Sequence, residues 1–123
     1  MSVSPEQIHK AFEYAKKTYA NEMSASEAAK YLANHYKLKE STAYAFVYAF
    51  LKMMSGQVYK RGLSVYATNY FLEGISADFG ADKLQNALSA LMQHIIYYED
   101  GHKTNMHKLR GVHRSLTKEI ASM

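Results

Sequence analysis

Two groupings of cationic side chains have the types and spacing to meet a polyanion. The first is the turn Tyr59-Lys60-Arg61, set between Gly56 and Gly62 and followed by Ser64. A guanidinium forks onto a phosphate or a guanine edge, an ammonium supplies a point charge, and a Tyr ring can stack on a base. The turn stands just before a helix that opens at Ser64, where backbone N–H groups also favour an anion. The second grouping is His107, Arg110, Arg114 and Lys118, spaced 3, 4 and 4 residues apart. That spacing aligns them along one helical face, opposite Leu109, Val112, Leu116 and Ile120. A helix docked by its apolar side then presents a basic ridge that carries no acidic partner. A solvated turn and a solvated charged face are the structural alternatives.

The charge distribution supports the second grouping. The chain has 123 residues and a net charge of +4. Residues 101–123 hold Lys103, Lys108, Arg110, Arg114 and Lys118 against Glu119 alone, so this segment accounts for the whole excess. His102, His107 and His113 lie there too and gain charge below about pH 6.5.

Other chemistries find no footing in the sequence. Cys is absent, which removes disulfides and thiolate metal sites and fits a cytoplasmic protein. His102, His107 and His113 do not have the spacing of a chelating helical pair. No P-loop, dinucleotide fingerprint or nucleophile elbow occurs. Glu99-Asp100 is an adjacent acidic pair at a helix end, without convergent partners for acid/base work or Mg²⁺. His94, at the rim of an apolar stripe with Tyr97 and Tyr98 nearby, reads as a hydrogen-bonded packing histidine. No catalytic set, metal or cofactor is expected. No apolar run reaches the roughly 18–20 residues of a membrane span, and residues 1–7 do not form a secretory signal.

The elements that must position these residues are helical. Pro occurs once, at Pro5, so little interrupts a helix, and the hydrophobic fraction of 48% is that of a globular chain. Ser4, Pro5 and Gln7 form a capping box ahead of the stripe Ile8, Ala11, Phe12, Ala15 and Tyr19. Ser24 and Glu27 form another, ahead of Ala28, Ala29, Leu32 and Tyr36. A third helix, capped by Ser41, runs from Tyr44 to Met54 and is apolar on most sides, ending at a left-handed Gly56. A fourth runs from Ser64 to Phe79, with Leu63, Tyr66, Ala67, Tyr70, Gly74, Ile75 and Asp78 on one face. Gly80 ends it. Asp82 caps a fifth, whose stripe is Leu84, Leu88, Leu91, Ile95 and Tyr98 and which closes at Glu99-Asp100-Gly101. Asn105 caps a sixth, from about Met106 to Ala121. The expectation is an all-α fold, a compact single-domain bundle of five to six helices over residues 1–123. The second and third helices loosely match a helix-turn-helix, but the third offers only Ser41, Thr42 and Tyr44 as a polar start.

The stretch from Gly56 to Glu99 resembles the N-terminal helical module found ahead of HNH-type nuclease domains in some restriction endonucleases, including enzymes specific for modified cytosine. The matching residues are Gly56, Tyr59-Lys60-Arg61, Tyr66-Ala67-Thr68, Tyr70-Phe71-Leu72, Ile75, Asp78 with Gly80, Ala87-Leu88 with Ala90, His94-Ile95 and Tyr97-Tyr98-Glu99. The nuclease motif itself is missing from this chain. The resemblance implies an accessory module contacting double-stranded DNA, plain or modified, beside a nuclease domain in cis or in trans. The expected contacts are Tyr59, Lys60, Arg61, Ser64, His107, Arg110, Arg114 and Lys118. The alternative is a protein-interaction or dimerisation module, because the 11 Tyr residues suit a wet protein interface as well.

Overall fold

A computed structural model describes residues 3–102 and 105–122. Lys103, counted in the basic segment, lies outside the described residues. The described residues form six helices and no strand, so the fold is all-α. The helices are α1 (Pro5–Tyr19), α2 (Ala25–Tyr36), α3 (Glu40–Ser55), α4 (Val65–Phe79), α5 (Ala81–His102) and α6 (His107–Ala121). The chain divides into two compact units, residues 1–51 and 52–123, with the division inside α3. None of these helices is long and apolar enough to cross a membrane.

In the first unit, local sequence sets the helix starts. The Ser4 and Ser24 hydroxyls accept N–H bonds from Gln7 and Glu27, whose side chains reach back to the cap N–H groups. The apolar stripes then bury Ile8, Ala11, Phe12 and Ala15 on α1 and Ala28, Ala29 and Leu32 on α2. Phe12 meets Phe50 of α3 edge to face, with centroids 5.4 Å apart. Such a pair adds about 0.5–1.5 kcal/mol beyond its area burial. Tyr19, expected on the buried stripe, is 38% exposed, because its hydroxyl end suits the rim.

Three expected boundaries move. α3 begins at Glu40, with the Ala43 N–H bonded to the Lys39 carbonyl, so Ser41 lies inside the first turn and is not the cap. α5 begins at Ala81, directly after Gly80, whose carbonyl accepts the Leu84 N–H. Asp82 therefore sits in the first turn instead of capping it. α5 also continues past Gly101 to His102. α3 is less completely wrapped than its composition suggests: it buries Phe46, Val47 and Phe50 but leaves Tyr44 and Tyr48 stacked and exposed.

In the second unit α5 packs against both α4 and α6, and α4 also meets α6. α4 turns inward a face that keeps Ala67 and Ile75 of the expected one but is rotated away from Tyr66 and Asp78. It buries Ala67, Thr68, Phe71, Leu72 and Ile75, while Tyr66 is 49% exposed and Asp78 is exposed. A stripe chosen through Tyr66, Tyr70 and Asp78 puts polar tips and a charge inward. The face through Phe71 and Leu72 buries only hydrocarbon and one Thr, which costs less.

Candidate nucleic-acid interface

The Tyr59-Lys60-Arg61 turn is not a loose loop. Gly56 closes α3 with a left-handed φ of 72°, a conformation that favours glycine. From there the chain runs along α5 and is held by it at several points. The Asn86 amide donates to the Met54 carbonyl at 3.0 Å, and Gln93 donates to the Gly56 carbonyl at 2.9 Å. His94 Nδ1 lies 2.6 Å from the Tyr59 carbonyl oxygen. The Lys60 ammonium sits over the Tyr97 ring, 5.6 Å from its centroid. Asn86, Gln93 and Tyr97 recur at helical spacing, with His94 beside Gln93, so one side of α5 grips the whole segment.

His94 is fully buried, deeper than the rim position expected of it. Its ring stacks on Tyr59 at 4.5 Å and 9°. A carbonyl oxygen can only accept, so Nδ1 is the protonated nitrogen of the neutral ring. Burial pushes the imidazole below its ordinary range, opposed by the bond to the Tyr59 carbonyl. The expected role as a hydrogen-bonded packing histidine is what the geometry shows.

Tyr59 itself corrects an expectation. Its side chain is 1% exposed, and its hydroxyl has no hydrogen-bond partner. The ring is spent on His94 and the core, so it cannot stack on a base. Burial pushes its phenol up. Lys60 and Arg61 remain exposed.

Ser64 caps α4. Its hydroxyl oxygen accepts the Ala67 N–H at 3.1 Å, and its carbonyl accepts the Thr68 N–H at 2.9 Å. The hydroxyl proton remains available to donate.

The basic helix is fixed to the same unit by a carboxylate. Glu99 Oε2 accepts the Met106 N–H and the Arg110 Nε–H, both at 2.9 Å, and Oε1 accepts Arg110 Nη2 at 2.6 Å. This fork holds the Glu99 carboxyl down at about 2, the Arg110 bond being the largest cause and the Met106 N–H the next. Glu99 also takes the place of the expected Asn105 cap, since no side chain caps α6 from its own N-terminus. The expectation of a ridge without acidic partners fails at Arg110. This guanidinium is tied down, and Glu99 at the end of α5 is the partner. The signal was present: a helical hairpin pairs residues about equally far from its link, as Glu99 and Arg110 are. His107, Arg114 and Lys118 are exposed.

Folding brings the two sequence groupings together in part. A groove of about 580 Å³ is lined by Leu63, Ser64 and Val65 on one side and by Asn105 to Leu109 on the other, with Tyr98 between. The end of the cationic turn thus meets the start of the basic helix, joining Ser64 and His107. Arg114 and Lys118 lie farther along α6 and do not line the groove. Lys108 and Asn105 are groove residues that the sequence analysis did not place among the contacts. A second groove, in the first unit, is lined by residues that include Lys37, Lys39 and Thr42 and gathers none of the expected contacts. Among the described residues no cluster of three or more His, Cys, Asp or Glu side chains could hold a metal ion.

No protein-family model, curated protein or solved structure matches this chain.

Proposed function

We propose that the chain is a DNA-binding helical module of a restriction or HNH-endonuclease type of system, with any catalysis supplied by a nuclease domain in cis or in trans. The observation that supports this most is the groove where Ser64 and His107 meet. In sequence, Lys60 and Arg61 stand a few residues before Ser64, and Arg114 and Lys118 stand one and two helical turns beyond Arg110. Two cationic groupings about 45 residues apart in sequence thus belong to one compact unit. Point charges on a helix position a duplex through its phosphates. Arg61 is the side chain suited to a base edge, and the pattern likeness to modified-cytosine enzymes motivates testing methylated duplexes.

The test is fluorescence anisotropy with plain and cytosine-methylated duplexes across a salt series. Affinity should fall steeply with salt. Changing Arg114 and Lys118 together to Ala should weaken all duplexes alike and flatten the log–log slope by up to about two phosphate equivalents. Arg61→Ala should cost about 1–3 kcal/mol on a preferred site and less elsewhere. Unchanged affinity and slope after neutralising Lys60, Arg61, Arg114 and Lys118 would remove the proposal. A protein-interaction module is the second reading, favoured by the exposed and stacked pair Tyr44 and Tyr48. It predicts a complex that weakens little with salt.

A further inference from the structure

We propose that His94 is an acid-released latch: neutral, its imidazole holds residues 59–62 against α5, and its protonation frees the turn that carries Lys60 and Arg61. Only the consequence for DNA rests on the proposed function; the latch is a property of the fold.

The buried ring touches the turn with both nitrogens. Nδ1 donates to the Tyr59 carbonyl at 2.6 Å. Nε2 has no hydrogen-bond partner, and it faces Gly62 so closely that a Cβ there would lie 3.0 Å away. A neutral imidazole tolerates this, forgoing one bond to a lone pair. An imidazolium does not. It places a second N–H, and a charge, at a buried nitrogen with no protein acceptor. Relief needs water or an acceptor at Nε2, and Gly62 stands there, so relief moves the turn. The backbone between the two contacts is that of Lys60 and Arg61.

Only the bond to the Tyr59 carbonyl favours the charged form, and burial outweighs it. The rings against His94 are Tyr59 and Tyr98, and neither brings a carboxylate to it. The buried face of α4 contributes Thr68 as its one polar residue. The half-buried ionisable groups of α6 are Arg110, already bound to Glu99, and His113, which burial also holds below the usual imidazole range. Lys60 and Arg61 are themselves cations. The latch is therefore fully present above about pH 6.5 and is lost as pH falls through the lower folded value.

The experiment is an NMR pH titration of the full chain. Imidazole ¹⁵N shifts report the tautomer and midpoint of His94, and backbone relaxation reports order at residues 57–62. The expected result is an Nδ1–H tautomer at neutral pH and a midpoint below about 6.5. The turn should lose order at that midpoint while Leu88 and Leu91 of α5 keep theirs. His94→Asn, whose amide can still donate to the Tyr59 carbonyl but does not titrate, should keep the turn ordered over the same range. An Nε2–H tautomer, a turn that stays ordered through the titration, joint loss of order in α5, or the same transition in His94→Asn would overturn the latch. Should the Asn variant not fold, the wild-type titration decides alone. Duplex affinity measured in parallel at fixed salt should drop severalfold in the wild type relative to His94→Asn. A turn that loosens with no such difference leaves the latch standing and removes the turn from the DNA surface.

Discussion

Gly62→Ala isolates the packing beneath the cationic turn. Gly62 has no left-handed φ, so the backbone accepts alanine without strain. Restricting the unfolded chain alone would then stabilise by about 0.4–1 kcal/mol. The added Cβ, however, would lie 3.0 Å from His94 Nε2 and 3.4 Å from Cε1. The ring cannot retreat freely, because Nδ1 is bonded to the Tyr59 carbonyl and one face is stacked on Tyr59. Overpacking of this kind costs about 1–3 kcal/mol. The net expectation is a loss of about 0.5–2 kcal/mol, a fall of a few degrees in Tm. Urea unfolding followed by circular dichroism reads it, with two glycines as controls. Gly111→Ala meets nothing within 4 Å inside α6 and should gain about 1 kcal/mol. Gly80→Ala also meets nothing, but its φ of 90° makes it lose about 1–3 kcal/mol by backbone strain. In a His94→Ala background the Gly62→Ala loss should largely vanish, a coupling of about 0.5 kcal/mol or more. Equal loss in both backgrounds, or no loss at all, refutes the contact as the cause.

Tyr59→Phe should be neutral or stabilising by up to about 1 kcal/mol and leave DNA affinity unchanged, because the buried hydroxyl has no partner; a stability measurement with anisotropy checks both. Glu99→Gln should alter the acid limb of stability: the Glu99 contribution is complete above about pH 4.5 and is lost as pH falls toward about 2, so wild type and variant should converge there in pH-dependent unfolding. Arg110→Ala should destabilise the α5–α6 hairpin and change the salt slope of DNA binding less than Arg114→Ala, since Arg110 is committed to Glu99. Ser24→Ala should cost about 1 kcal/mol by removing one capping box, measured by urea unfolding.

Much of the local structure was legible because it depends on neighbours in sequence. The boxes at Ser4 and Ser24 and the left-handed Gly56 each involve residues within a few positions, and each appears where the residue types place it. The stripes of α1, α2 and α5 were legible for the same reason. The inward face of α4 was not, since Tyr can lie on either side of an amphipathic boundary and the neighbouring helices decide which. Asn105 and Asp82 look like caps, yet Glu99 and Gly80 fill those places, because a carboxylate from another helix and a short link outrank local preference.

What the sequence by itself determined is an all-α chain, its helix-forming stretches, and a C-terminal segment that carries the net positive charge. Capping, periodicity and composition are enough for that, because they act over one or two helical turns. Only the tertiary structure decided which cations stay exposed. It buried Tyr59 against His94, tied Arg110 to Glu99, and left Lys60, Arg61, Arg114 and Lys118 exposed. The reason is that exposure and ion pairing depend on contacts between residues 11 and 35 positions apart, which no local pattern records. The groove joining Ser64 to His107 likewise exists only once α4 and α6 meet.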